Sequence, residues 1–323
     1  MTPPAVLVTL PVPAASLERL REHCDVTCMS PRDDRAGFEL ALAVAEGLLV
    51  DSRTLLDGDL LRRASNLRAV STVSVGLDHI DLEAARERRI AVTTTPVLSD
   101  AVADLVLALM IMLTRRLPEA ARAATSGRWS QALLGNDLGG KVLLLVGFGR
   151  IGQEVARRSL ACKMRVGYWD RRDDLPLVEG VERELDFEGA LRAADFVSLH
   201  VDLNASTAHL IGSKELALMK PTAFLVNTAR GGVVDQEALR RALAEGRLAG
   251  AALDVLEQEP PLAGEPLLSE PRAIVVPHIG SATVETRAAM LELGIDNLLG
   301  CLHGDSGRYA VVDPRRPVSS DLP

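Results

Sequence analysis

The chain has 323 residues, more than one hydrophobic core usually serves, so two domains are expected. Apolar residues make up 47% and charged residues 25%, with no low-complexity block, which excludes a disordered or fibrous chain. The net charge is −8 and the arginines are scattered, which argues against a nucleic-acid surface and leaves any anionic ligand to be met by a local cation.

Cys24, Cys28, Cys162 and Cys301 form no C-x-x-C pair, and no His/Cys cluster has zinc-ligand spacing, so buried reduced thiols and no metal are expected. Met1-Thr2-Pro3-Pro4 lacks the basic start and apolar core of a signal peptide. The longest apolar run, Leu105 to Leu113, is about half of what a bilayer requires. A cytoplasmic protein without membrane contact is the expectation.

In chain order, Val6–Leu10, Val26–Met29, Gly47–Val50, Leu67–Thr72 and Ile90–Thr93 read as strands, with Ser16–His23, Leu55–Ala64 and Leu82–Arg88 as helices between them. That alternation predicts a parallel, doubly wound sheet. Ser99-Asp100 reads as an N-cap for a helix over Ala101–Leu117, closed by Arg115-Arg116 where the helix dipole favours cations. Asp104 is its only charge before Arg115, and a helix apolar nearly all round is a buried one. It reads as a connection between domains shared with a subunit interface; an internal core helix is the alternative.

From Lys141 the alternation repeats. Strands are predicted at Val142–Val146, Arg165–Trp169, Phe196–His200, Ala223–Asn227, Gly250–Leu253 and Ala273–Val276, and helices at Ile151–Cys162, Glu188–Ala193, Lys214–Met219 and Gln236–Glu245. The stretch from Glu257 through Pro266 is too rich in proline for a regular element. Ala282–Leu302 is helical again and is expected to return to the first domain, while Asp313–Pro323 has three prolines and no periodicity.

Between the strand Val142–Val146 and the following helix lies Gly147-Phe148-Gly149-Arg150-Ile151-Gly152, a G-x-G-x-x-G pattern. One glycine permits the tight turn, one lets the backbone approach a pyrophosphate, and one lets helix and strand pack closely. In that flanking the pattern predicts a dinucleotide site, against a glycine-rich turn with no ligand. Asp170 ends the next strand, where a carboxylate can accept from the adenosine ribose and repel a 2′-phosphate, so NAD(H) is favoured. Arg171 and Arg172 leave NADP(H) open, since guanidinium groups there can hold a 2′-phosphate or stack on adenine; Asp173-Asp174 fit a solvated turn instead.

Further candidates lie at the carboxyl ends of strands, where open parallel sheets bind ligands. Arg230, in Asn227-Thr228-Ala229-Arg230-Gly231-Gly232, is a planar donor fork suited to a carboxylate beside a carbonyl, or else a surface ion pair. Asp254 and Glu259 follow one strand, and Pro277-His278-Ile279-Gly280-Ser281 follows another. Hydride transfer to a ketone needs a proton for the new alkoxide, and histidine is the side chain type suited to supply it, which makes His278 the candidate with Glu259 as its carboxylate partner. Alone, His278 would read as a hydrogen-bonded structural residue.

From Val6 to the end of the Ala282–Leu302 helix the chain resembles the D-isomer-specific 2-hydroxyacid dehydrogenases. The motifs that carry the likeness are Ser74–Asp81, Gly147–Gly152, Asn227–Gly232, Leu253–Pro260 and Pro277–Thr283. Thr114–Ala120 and His278–Thr283 are most similar to the glyoxylate and hydroxypyruvate reductases. The resemblance implies two doubly wound α/β domains: a flavodoxin-like substrate domain, discontinuous over 1–97 and 288–323, and a Rossmann nucleotide domain over 98–287, with the active site in the interdomain cleft. It implies a catalytic trio of Arg230, Glu259 and His278, with Val75 and Gly76 presenting N–H groups to the substrate carboxylate beside Arg230 and His278. Cofactor contacts would come from Gly147, Phe148, Gly149, Arg150, Ile151, Gly152, Asp170, Arg171, Arg172, His200, Val201, Thr228, Ala229, Arg230, Asp254, His278 and Gly280. Asp254 would meet the nicotinamide amide, and His200-Val201 the adenine side. A small 2-keto or 2-hydroxy acid as substrate and a homodimer built on the second domain complete the expectation.

Departures from the family pattern are the shortened Thr95–Asp100, Asp202 after His200-Val201 where proline is common, and a short Trp129–Asp137. Glu259 separates the chain from formate dehydrogenases, which carry Gln there, and Ser74-Val75-Gly76 lacks the lysine of phosphonate dehydrogenases. Dehydrogenases of the phosphoglycerate or D-lactate type are the nearer alternatives. An NAD-sensing corepressor, a binding module with the same trio, is the alternative of another class.

Overall fold

A computed structural model describes residues 2–129, 132–305 and 309–314. The chain divides into two compact units, Met1–Leu98 with Thr283–Pro323, and Ser99–Ala282. The first unit therefore resumes at Thr283, a few residues before the expected 288.

In the first unit β1 (Ala5–Val8), α1 (Ala14–Arg21), β2 (Asp25–Cys28), α2 (Arg35–Val44), β3 (Gly47–Val50), α3 (Gly58–Arg63), β4 (Ala69–Thr72), α4 (Leu82–Glu87) and β5 (Ala91–Thr93) follow one another. Strands β2-β1-β3-β4-β5 lie side by side and parallel, the flavodoxin-like order. β3 and β4 are buried along their whole length, as continuous apolar runs covered on both faces must be. Asp34, Asp57 and Asp81 cap α2, α3 and α4 by accepting from Gly37, Leu60 and Ala84 N–H groups.

In the second unit α5 (Ser99–Thr114) and α6 (Leu117–Thr125) precede β6 (Val142–Val146), α7 (Arg150–Ala161), β7 (Arg165–Trp169), β8 (Val181–Arg183), α8 (Phe187–Ala193), β9 (Phe196–Leu199), α9 (Ser213–Leu218), β10 (Phe224–Asn227), α10 (Gln236–Ala244), β11 (Gly250–Leu253) and β12 (Ala273–Val275). The seven-stranded sheet runs β8-β7-β6-β9-β10-β11-β12, parallel throughout, with the order reversing at β6 as in dinucleotide-binding folds. One face is packed by Leu144, Val146, Leu199, Leu225, Leu239 and Leu253, all buried.

The chain then returns to the first unit as α11 (Val284–His303), capped by Thr283, and ends its described part in β13 (Ala310–Val312). Met290, Ile295 and Leu298 of α11 pack on the sheet with Val6, Val8 and Leu49. Gly294 lets the helix pack closely there: a Cβ would stand 3.2 Å from the Val73 side chain and 3.3 Å from that of Leu49, so these would have to shift.

Five elements depart from expectation, the unforeseen helix α6 among them. Helix α2, although mostly apolar, polar strand β8 and the three-residue strand β13 were not expected, and β13 joins β5 antiparallel at the sheet edge. The helix expected over Ala101–Leu117 begins at Ser99 and stops at Thr114. Arg116 adopts a left-handed φ of 52°, which breaks the helix and makes Arg116 the entry to α6. Helix α5 is also buried on one face only: Val102, Val106, Leu109 and Leu113 are covered, while Ile111 is 36% exposed. Ser130 and Gln131 of the short segment Trp129–Asp137, and residues 315–323 of the proline-rich end, lie outside the described residues.

Candidate functional site

β6 delivers the glycine-rich turn to the carboxyl edge of its sheet. Gly147 has a left-handed φ of 96°, and a Cβ on it would lie 2.6 Å from the His200 carbonyl oxygen. A Cβ on Gly152 would lie 2.5 Å from the Gly147 oxygen, so α7 can start close to the strand only with glycine there. Gly149 differs: its Cβ would meet nothing nearer than Arg172 Nη2 at 3.8 Å. No side chain caps α7 behind Gly149, so its N-terminal N–H groups and dipole face the open side of the turn. A close-packed turn with one uncrowded glycine at a helix start is a cradle for an anion such as a pyrophosphate. Phe148 is buried and stacked on Tyr168 with ring centroids 3.9 Å apart, which anchors the turn to β7.

Asp170 ends β7, and its carboxylate is fully engaged. Oδ2 accepts from Phe148 N at 2.8 Å and Arg172 Nη2 at 3.0 Å; Oδ1 accepts from Arg172 N at 3.0 Å and Nε at 3.1 Å. Burial pushes this carboxyl upward, but the Arg172 guanidinium and the N–H donors outweigh it and hold Asp170 below the usual carboxylate range. Arg171 instead crosses to the Ser206 carbonyl at 3.0 Å and lies over the Trp169 ring. Arg183 on β8 donates through Nη2 to the Asp170 and Arg172 carbonyls and to Asp173. His200 Nε2 bonds Ser198 Oγ at 2.9 Å, and burial lowers its pKa to about 3, so the ring is neutral. Val201 packs onto the core beside it.

Three strand ends carry the second group. Past β10, Asn227 Oδ1 accepts from Ala229 N at 3.0 Å and Asn227 Nδ2 donates to the Arg230 carbonyl at 2.9 Å, which fixes the backbone that bears Arg230. Its guanidinium Nη1 donates to the Ala229 carbonyl at 2.8 Å. Gly231 follows because the backbone of Leu256 and Glu257 passes where a Cβ would be, at 2.0 and 2.3 Å. That approach brings the loop after β11, and Glu259 with it, to the end of β10. Glu259 Oε1 accepts from Leu256 N at 3.0 Å, and Oε2 lies 2.7 Å from His278 Nδ1. Burial raises the Glu259 carboxyl, but His278, Leu256 N–H and the charge of Arg230 outweigh it, so it lies below its ordinary value.

His278 itself has a left-handed φ of 52°. Its N–H donates to the Asp254 carbonyl at 2.9 Å, and the next two N–H groups, of Ile279 and Gly280, donate to the Asp254 carboxylate at 2.6 and 2.9 Å. Asp254 is 2% exposed, and burial raises its pKa despite those donors. Expected to face a nicotinamide amide, its oxygens are aimed at the turn that presents the His278 ring. A side chain on Gly280 would press on Asp254 Oδ2 at 3.0 Å and on Val102.

Val75 and Gly76 follow β4 in the first unit, on a loop where Ser74 Oγ donates to the Gly76 carbonyl at 2.8 Å. Ser74 in turn meets Thr72 Oγ1 at 2.8 Å, and Thr72 meets His79 Nε2 at 2.9 Å. In the same unit Arg53 is paired with Asp51 through Nε at 2.8 Å.

The second unit thus gathers Arg230, Glu259 and His278, and separately Gly147–Gly152 with Asp170, Arg171, Arg172, His200 and Val201. These residues fit a nicotinamide dinucleotide by two geometric observations: the uncrowded Gly149, and Thr228 Oγ1, buried without a hydrogen-bond partner where a ligand polar group would satisfy it. Arg183 and Ser198 were not foreseeable as part of this edge, nor was the role of Gly231 in it. Arg183 sits in the polar stretch Val181-Glu182-Arg183, and Gly231 acts by letting a distant loop pass. Among the described residues, no group of three or more His, Cys, Asp or Glu could hold a metal ion, and no helix is long and apolar enough to cross a membrane.

Residues 107–280 match the family model described as D-isomer specific 2-hydroxyacid dehydrogenase, NAD binding domain. A glyoxylate reductase of Thermofilum pendens is 42% identical over 94% of this chain and 93% of its own length. A glyoxylate/hydroxypyruvate reductase B of Klebsiella pneumoniae is 41% identical over 95% of this chain and 98% of its own. Among solved structures, an NADPH-dependent glyoxylate/hydroxypyruvate reductase from Sinorhizobium meliloti, in complex with NADP and malonate, is similar with a TM-score of 0.86 and 33% identity, covering 98% of this chain and 100% of that one.

Proposed function

The chain belongs to the D-isomer specific 2-hydroxyacid dehydrogenases, and on that footing we propose that it reduces small 2-keto acids of the glyoxylate and hydroxypyruvate kind, with Arg230, Glu259 and His278 as its catalytic residues. It is an NAD(P)-dependent oxidoreductase of 2-keto and 2-hydroxy acids. The observation that carries the finer reading is the 2.7 Å contact between His278 Nδ1 and Glu259 Oε2, on the edge that also bears Arg230.

The dinucleotide would be held by Gly147–Gly152, the Asp170–Arg172 turn, Thr228 and the edge at Asp254 and Gly280. When bound, it supplies the hydride. The protein supplies the rest. Glu259, kept ionised by its lowered pKa, fixes the imidazole through Nδ1, which leaves Nε2 to give a proton to the ketone oxygen as it becomes an alkoxide. Arg230 offers its guanidinium to the keto acid's carboxylate and carbonyl, which orients the carbonyl and stabilises negative charge on its oxygen.

We assign a homodimer to the exposed apolar side of α5 and the residues after it, where Ile111, Leu117, Trp129 and Leu134 are 36%, 43%, 89% and 80% exposed. Light scattering at micromolar protein should give twice the chain mass; a monomer would remove this assignment.

The test of the reaction is NADH and NADPH oxidation against glyoxylate, hydroxypyruvate, pyruvate and phenylpyruvate, with glycolaldehyde as a substrate that lacks the carboxylate. Turnover should be highest with the two small acids and lower by about a hundredfold or more in kcat/KM with glycolaldehyde, the loss of a charge-assisted contact. Equal rates with acid and aldehyde would remove Arg230 as the anchor. No turnover of any 2-keto acid would overturn the reading.

A further inference from the structure

We infer that Arg172 acts as a gate on Asp170, cancelling the discrimination this carboxylate would otherwise impose, so that the site takes dinucleotides with a 2′-phosphate as well as those without one. The inference rests on the dinucleotide reading above and deepens it at the adenosine end.

A carboxylate has about four lone-pair positions, and Asp170 has all of them filled from within the chain. Two come from backbone N–H groups, of Phe148 and Arg172, that the turn fixes in place. The other two come from Arg172 Nε and Nη2. A ribose hydroxyl can reach this carboxylate only by displacing the guanidinium, exchanging a two-point charged contact for a neutral donor. The carboxylate is therefore a poor receptor for a ribose diol while Arg172 stays where it is.

The same contact changes what a phosphate meets. Paired with Arg172, Asp170 no longer presents an uncompensated negative charge. Arg172 spends two of its five N–H donors on Asp170, and the remaining three belong to a side chain 53% exposed. Its Nη2 is the atom nearest to the uncrowded side of Gly149, at 3.8 Å from the position of a Cβ there. Arg171, held to Ser206 and lying over Trp169, adds a second cation at the same strand end. Asp173 is drawn away by Arg183, which also grips the Asp170 and Arg172 carbonyls, so a third element holds the turn in this form. Asp174 and Asp202 are further carboxylates whose charge reaches Arg172; they favour its charged form and offset part of the positive field a phosphate would meet.

The gate predicts a definite response in binding, independent of catalysis. Calorimetric titration of the full-length chain with 2′,5′-ADP, ADP, NADPH and NADH should give NADPH and NADH dissociation constants within about tenfold of each other, where an uncompensated Asp170 would separate them further. Arg172→Ala should weaken 2′,5′-ADP at least tenfold and leave NADH as tight as before or tighter, because Asp170 becomes open to the ribose. Arg172→Lys, which keeps the charge and loses the fork, should fall between the two. The inference is overturned if Arg172→Ala changes the NADPH-to-NADH affinity ratio less than fivefold, or if the unaltered chain prefers NADH more than a hundredfold. Neither result would touch the reaction itself. If no adenine nucleotide binds at all, both the inference and the dinucleotide reading fall.

Discussion

The first strand–helix turns of the two units have the same layout and opposite chemistry. After β1 the chain reads Thr9-Leu10-Pro11-Val12-Pro13 into α1, and after β6 it reads Gly147-Phe148-Gly149 into α7. Both turns leave the carboxyl end of a parallel strand, and neither helix has a side-chain cap. In the first, Pro11 and Pro13 restrict the backbone and remove two N–H donors. In the second, Gly147 and Gly152 let backbone meet backbone at distances no Cβ tolerates, and Gly149 keeps the opening clear. A doubly wound sheet therefore provides an edge where a ligand can bind, and the residues at the turn decide whether one does.

The comparison breaks most visibly at Gly147. Alanine there would combine a φ of 96° with a contact to the His200 carbonyl, and should cost about 3 kcal/mol of stability and about a hundredfold in NADH affinity. Denaturant unfolding and NADH titration would measure both. Stability and binding unchanged within twofold would show that the turn tolerates a side chain and that the contrast with the β1 turn is incidental.

A smaller effect is expected at Glu259, whose partner His278 sits on the same edge. Its pKa is depressed, so its carboxylate pairing with His278 is intact at pH values above the ordinary glutamate range and is lost only as pH falls through the lowered value. Glu259→Gln should lower kcat about ten- to a hundredfold and alter the pH profile, moving the titration that belongs to the ion pair. A pH profile that superimposes on that of the unaltered chain would mean that the Glu259 carboxylate does not act in the reaction.

Much of this organisation was legible in the amino-acid order. Gly47–Val50, Val142–Val146 and Gly250–Leu253 are strands in which the apolar run and the element coincide, because each is covered on both faces and nothing polar intrudes. The G-x-G-x-x-G turn and the strand-end positions of Arg230 and His278 follow from local pattern alone. Helix α2 was not legible from burial, since only Phe38 and Leu42 are covered, although Asp34 supplies its cap. Strand β8 is polar and β13 is three residues long, so each owes its existence to a neighbour already in place. The apolar run after Ser99 suggested one longer helix, because nothing in Arg115-Arg116 announces a left-handed residue.

The site divides in the same way. Which residues stand at strand ends could be read; what each one touches could not. Asp170 was legible as an acid at the end of β7, but its capture by Arg172 depends on a turn that Arg183 holds from β8. Asp254 was legible as an acid near the candidate histidine, yet its oxygens go to the Ile279 and Gly280 N–H groups and shape the left-handed turn at His278. Gly231 could be read only as a glycine following Arg230, whereas its place is set by the passing backbone of Leu256 and Glu257.

The central claim is that His278, held by Glu259, moves the proton while the glycine-rich edge holds the dinucleotide. Its most direct test is His278→Gln, with kcat for glyoxylate and the NADH dissociation constant measured on the same preparation. A loss in kcat of about a hundredfold or more, with NADH affinity within about threefold of the unaltered chain, is the predicted result. Full activity in the variant would remove His278 from the reaction and contradict the account.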